Sequence, residues 1–189
     1  MSQPPQRSEA VAAIARRLAA DPDLRAGIIA IDGPSGAGKS SLADALVAEL
    51  TEQGRPPLLI RTDDFATWDE PAGWWPELEH DVLAPFARSH DISLRPRVWT
   101  DGRATPGPRT WLSWSPLLII EGVTAARAAL ASRLSHAYWL DGPDRAERLE
   151  RAVARDGEDQ RELLRAWQRF EDGWFAVDGT RERCEVLDA

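Results

Sequence analysis

Between Ile28 and Ser41 the chain reads IIAIDGPSGAGKSS, and no other stretch restricts the possible folds as strongly. A β-branched run (Ile28, Ile29, Ile31) turns at Gly33-x-x-x-x-Gly38-Lys39-Ser40 and passes into a helical pattern carried by Leu42, Ala45, Leu46 and Leu50. Strand, glycine-rich turn and helix in that order make a P-loop, a cradle for phosphate. Gly33, Gly36 and Gly38, with Pro34, Ser35 and Ala37 between them, let the backbone curl into a nest of N–H groups. The helix that follows points the positive end of its dipole at the same spot. Lys39 would reach the β- and γ-phosphates of a bound ligand, and the Ser40 hydroxyl would complete the coordination of a Mg²⁺ that keeps most of its waters. Ser41 is a weaker second candidate.

Lys39 is also the only lysine in the chain; every other basic residue is arginine. A sequence so biased keeps a lysine where a compact ammonium is needed and a planar fork would not fit. The 189 residues suit a single domain with a proper core. A net charge of -8 argues against nucleic-acid and membrane-surface partners, which want a basic field. The lone Cys184 excludes an internal disulfide framework and a cysteine-based zinc site, and fits a reducing compartment. His80, His90 and His136 form no pair with metal spacing. With no long apolar run and no signal-peptide pattern, a cytoplasmic location is expected. The oligomeric state is left open, a homodimer included.

Along the chain, residues 1–7 read as a disordered lead, and Ser8-Glu9 opens a helix whose face is Val11, Ile14, Ala15 and Leu18. After the P-loop helix, Leu58 to Thr62 is a second strand ending in Asp63-Asp64-Phe65, and residues 77–88 read as a helix burying Leu78, Val82, Leu83 and Phe86. From His90 to Pro116 a proline- and tryptophan-bearing stretch predicts an irregular hairpin turning at Asp101-Gly102. Leu117 to Ile120, closed by Glu121-Gly122, is the most apolar run and suits a central parallel strand. A helix over 124–134, a fourth strand over 136–140, two charged helices over 143–155 and 158–176, and an edge strand over 184–187 complete the reading. The expected fold is α/β: a three-layer P-loop NTPase with a mostly parallel five-stranded sheet and ligands at the carboxyl ends of its strands. Residues 1–26 would be lead and helix, 90–116 an acceptor-side hairpin insertion, and 143–165 a helical lid.

Asp63, at the end of the second strand, is placed to accept the proton of an attacking hydroxyl; capping the turn or binding Mg²⁺ through water are its alternatives, and Asp64 is the weaker base candidate. Glu121, ending the third strand, would order the waters of the magnesium, or simply neighbour a helix cap. Arg148, Arg151 and Arg155 share one helix face and could close over the phosphates, although interleaved Asp144, Glu147 and Glu150 suit a solvated salt-bridge face equally well. Trp68, Trp74, Trp75, Trp99, Trp111 and Trp114 all fall between the second and third strands, so some of them suit an aromatic wall for a flat acceptor. Arg95, Arg97, Arg103 and Arg109 on the hairpin would suit an anionic acceptor.

The segments IDGPSGAGKSSLADAL, TDDF, LLIIEGV, ARDGE and DGTRERCEV, with an aromatic-rich helix before the last, resemble the uridine kinase family of P-loop small-molecule kinases from about Gly27 to Leu187. The resemblance implies an ATP- and Mg²⁺-dependent kinase acting on a small-molecule hydroxyl, with Asp63 as base, Glu121 helping to hold magnesium, Arg155 as the lid arginine, and Thr180 and Arg181 beside the adenine. Phe65 matches the aromatic of its D-x-[FY] motif. Two features depart from the family pattern. Ala66 stands where a tyrosine usually follows, and RPRVWTDG lacks the tyrosine and histidine that the family's hairpin offers a pyrimidine. Pantothenate kinase and phosphoribulokinase are relatives with the same core and other acceptors.

Overall fold

A computed structural model describes residues 5–100 and 103–188. The expected lead as far as residue 4 and the hairpin turn at Asp101-Gly102 lie outside the described residues.

Five strands form one sheet: β1 (Gly27–Asp32), β2 (Leu58–Arg61), β7 (Leu117–Glu121), β8 (Leu134–Trp139) and β9 (Glu185–Val186). Their order is β2-β7-β1-β8-β9 and every pairing is parallel, so the sheet is parallel throughout. All five residues of β7 are buried, as a strand covered on both faces requires. Alternation along β1 sorts its side chains: Ile29 and Ile31 enter one core layer, Ile28 and Ala30 the other. The first layer is closed by α1 (Pro5–Ala19) through Val11, Ala15 and Leu18, and by α2 (Lys39–Glu52) through Leu42, Leu46 and Leu50. α1 begins at Pro5 rather than Ser8.

The second layer is closed by α3 (Trp75–Leu78) and α4 (Ala84–Ala87), joined through a π-helical turn at Glu79–Leu83. Leu78, Val82 and Leu83 face the sheet, with Phe86 packed at the margin. Residues 92–100 and 103–112 pair antiparallel in two sections. β3 (Ile92–Leu94) pairs with β6 (Thr110–Leu112), and β4 (Arg97–Thr100) with β5 (Arg103–Pro106). Pro96, which has no N–H to give, breaks the ladder between them.

After β7 the expected helix over 124–134 is replaced by tight turns and a 3₁₀ segment, Ala128–Arg133, with β8 starting at once from Leu134. The cause is tertiary. Thr124 has φ +70°, and the Asp32 carboxylate takes the amides of Thr124 and Ala126 at 3.1 and 2.8 Å, so these N–H groups never enter a helical ladder. Two helices precede β9: α5 (Arg145–Asp156), capped by the Asp144 side chain on the amide of Glu147, and α6 (Arg161–Asp178). Among the described residues no helix is long and apolar enough to cross a membrane.

Candidate active site

The cradle lies at the carboxyl end of β1, between β7 and β8, where a parallel sheet opens toward ligands. Two glycines are obligatory there. A Cβ on Gly33 would lie 2.2 Å from the carbonyl oxygen of Leu140, and Gly38 holds φ +100° as the residue before α2. Lys39 is buried, and its Nζ donates to the carbonyl of Pro34 at 3.0 Å, folding the ammonium back across the turn. Helix α6 hooks onto the cradle at Ser35 in two places. Glu171 accepts from the Ser35 amide at 2.9 Å, and the Trp167 indole N–H donates to the Ser35 hydroxyl at 3.0 Å.

Asp32 was not singled out from the sequence, yet it ties the site together. Fully buried, it takes the amide of Gly33 at 2.7 Å as well as those of Thr124 and Ala126, pinning the post-β7 turns to the start of the cradle. Burial pushes its carboxyl up to about 6, against the pull of these amides and of Lys39. Because the folded pKa lies above the unfolded value, the stability held by Asp32 is present below about pH 4 and lost as pH rises through about 6. The shift is worth about 3 kcal/mol at most. We expect Asp32→Asn to flatten the pH dependence of the unfolding midpoint between pH 4 and 6, measured by urea titration; an unchanged slope would assign it to other groups.

The corner where the sequence leads one to expect the metal, Ser40 and Glu121, adjoins the cradle. The Ser40 hydroxyl donates to Glu121 Oε1 at 3.0 Å, and Glu121, almost wholly buried, has its carboxyl raised by that burial, with Lys39, Arg61 and Ser40 opposing and Asp63 adding to the rise. No three His, Cys, Asp or Glu side chains cluster as a metal site among the described residues. A cation here would meet one hydroxyl and one carboxylate, with its other positions left to phosphate oxygens and water, which is the donor set that suits Mg²⁺. Asp63, in the 3₁₀ turn Thr62–Asp64 after β2, is exposed, and its charge acts on both Glu121 and Arg155. Asp64 is turned inward: it takes the amide of Arg61, and burial raises its carboxyl.

The arginines divide differently from the sequence reading. Arg155 is exposed and forks onto its neighbour Asp156 at 2.6 and 2.7 Å, and Arg151 pairs with Glu147. Arg148 instead packs on the cradle, its Cβ lying 3.3 Å from where a Cβ of Gly36 would be. Its Nη1 donates to the Pro143 carbonyl at 2.8 Å, and its Nε–H is buried without a partner. Thr180 is fully buried and donates to Asp178 at 2.6 Å, so its hydroxyl is committed inside the protein. Arg181 forks onto Asp141 at 2.9 and 2.8 Å and holds that carboxyl below the usual carboxylate range.

The tryptophans gather around Trp68, in a cluster composed only in part of the expected residues. Trp68 meets Trp99 of the hairpin edge-on at 5.5 Å and Trp167 of α6 edge-on at 5.8 Å, which links hairpin, loop and cradle hook. Phe65, expected to face the acceptor, is buried in the core against Trp74. Trp75 likewise turns inward. With Trp74 and Trp174 it cages the buried guanidinium of Arg127, whose carbon lies 4.7 to 4.9 Å from the three ring centres. Burial lowers the pKa of Arg127, and its Nη2 is spent on the Ala72 carbonyl and the Thr124 hydroxyl. Arg97 is neutralised by Glu77 at 2.7 Å.

No protein-family model matches the chain, and no curated protein matches it in sequence. Solved structures do. One, described as a possible uridine kinase from Bacillus stearothermophilus, superposes with a TM-score of 0.70 at 21% identity, covering 97% of this chain and 100% of the other. Another, described as a candidate fructose transport system kinase from Silicibacter sp. TM1040, gives 0.66 at 19% identity, covering 95% and 98%. Likeness at this level of identity concerns the fold, and what is shared is the α/β fold with its parallel central sheet.

Proposed function

We propose that the chain is an ATP-dependent phosphotransferase of the cytoplasm that moves the γ-phosphoryl group to a hydroxyl of an uncharged small molecule, a nucleoside or sugar, and not to nucleic acid or a membrane component. One observation carries the reading: an exposed carboxylate, Asp63, lies near enough to both Glu121 and Arg155 for its charge to act on each, in a chain whose phosphate cradle holds the only lysine. The cradle amides and Lys39 grip the phosphate tail, Ser40 and Glu121 hold the metal, and Asp63 accepts the proton as the acceptor oxygen attacks. Bound Mg²⁺ supplies charge neutralisation between the phosphates. Arg148 adds positive charge from the lid side, Arg155 would join it on leaving Asp156, and Trp68, Trp99 and Trp167 offer flat apolar faces to the acceptor.

An uncharged acceptor is favoured over an anionic one because, of the four hairpin arginines, Arg97 is already neutralised by Glu77 and Arg95, Arg103 and Arg109 are exposed to solvent, Arg109 donating to the Ser93 hydroxyl, while the buried Arg127 is enclosed by indoles. The two structural neighbours, described as kinases linked to uridine and to fructose transport, agree with that class. ADP release across a panel of nucleosides, free sugars, sugar phosphates and vitamin precursors tests it. We expect stimulation by a nucleoside or a free sugar. A preference for phosphorylated acceptors would overturn the acceptor class, and ATP binding with no stimulation by any hydroxyl compound would favour a nucleotide-binding regulator.

A further inference from the structure

Arg61 is the one strong cation of the metal corner that the proposed chemistry leaves without a role. It ends β2, and the parallel register sets it directly beside Glu121 at the end of β7. Its Nη1 donates to Glu121 Oε1 at 2.9 Å, the same oxygen that accepts the Ser40 hydroxyl, while its Nη2 donates to Asp44 Oδ1 of α2 at 2.6 Å. Glu121 is almost fully buried, whereas Arg61 is one-third exposed and Asp44 more than half exposed. The guanidinium thus reaches in from the solvent edge to neutralise a buried carboxylate, with a second, exposed carboxylate available to hold it.

We infer that Arg61 is a resident cation that stands in for the metal at Glu121, so that Mg²⁺ must compete with it for the carboxylate. The inference rests on the reading of Ser40 and Glu121 as the metal corner. A buried carboxylate without a cation is costly, and Arg61 removes that cost when no nucleotide is bound. The same contact lowers the attraction that Glu121 exerts on an incoming divalent ion, since two positive charges within a few ångströms of one carboxylate share its field. Asp44, engaged at the same time by the other terminal nitrogen, shares the guanidinium with Glu121 and so draws part of its charge away from that carboxylate. An arginine that merely braced Glu121 would act oppositely, because its loss would let the carboxylate wander and weaken the metal.

The test is a Mg²⁺ titration by calorimetry of protein saturated with ADP, comparing wild type with Arg61→Met and Asp44→Asn. Arg61→Met is expected to bind Mg²⁺ about tenfold more tightly, and Asp44→Asn, which leaves Arg61 wholly to Glu121, about threefold more weakly. In EDTA without nucleotide, Arg61→Met should melt below wild type, and Mg²⁺ with ADP should close that gap. Unchanged or weaker Mg²⁺ affinity in Arg61→Met overturns the inference. Should that variant fail to fold, Asp44→Asn decides alone, because its side chain is exposed: weaker binding supports the inference, and unchanged or tighter binding overturns it. A wild type that binds neither ADP nor Mg²⁺ would instead bring down the nucleotide reading beneath it.

Discussion

Asp63→Asn is expected to lower turnover by about two to four orders of magnitude while Mg·ATP affinity stays within a few-fold of wild type. Asparagine keeps the size and reach of the side chain but cannot take up a proton, so only the step that needs a base is lost. The surroundings favour this separation. Asp63 is exposed and outside the core, in a short 3₁₀ turn whose buried member is Thr62, so the exchange should leave the fold intact. Asp64 cannot simply substitute, because it is turned inward onto the amide of Arg61. Steady-state ADP release together with calorimetry of a non-hydrolysable ATP analogue gives both readouts. Undiminished turnover would remove Asp63 from the chemistry.

Lys39→Met should be the more damaging change for nucleotide binding, with affinity for Mg·ATP reduced at least tenfold and turnover by about 10²–10³. Lys39 is buried, rests on the Pro34 carbonyl 3.0 Å away, and acts electrostatically on both Asp32 and Glu121. Its removal therefore strips the cradle of its ammonium and leaves two buried carboxylates with less positive charge nearby. Lys39→Arg should not restore activity, since the planar fork does not fold back over the turn as the ammonium does. Calorimetry with the same ATP analogue checks both variants; wild-type affinity in Lys39→Met would refute the cradle assignment.

The parts of this molecule that were legible in the sequence are those governed by neighbours in the chain. Ile28 to Ile31 and Leu117 to Ile120 read as buried strands because both faces of the sheet are covered, and the irregular hairpin is read from a proline- and tryptophan-bearing stretch with a turn signal at Asp101-Gly102. The misreadings all arise from contacts made across the fold. The helix over 124–134 was overruled by a carboxylate of Asp32, more than ninety residues away. Phe65 and Trp75 looked available to an acceptor because nothing local reveals that Trp74 and the Arg127 cage bury one and engage the other. On the arginine face of α5 the Asp156-Gly157 break pointed to Arg155, with Arg151 beside the nucleotide, whereas it is Arg148 that packs against Gly36 of the cradle, a contact nothing local discloses. Arg61 gained its partner from strand register, which the residues of β2 alone do not disclose.

Because Trp167 both borders Trp68 and holds the Ser35 hydroxyl, the two halves of the site share one side chain. Divergence toward a new acceptor by replacing Trp167 would disturb the nucleotide grip at once, whereas changes at Trp99, out on the hairpin, would not. Lineages descended from such a protein should accordingly vary the hairpin tip freely and leave the α6 indole in place.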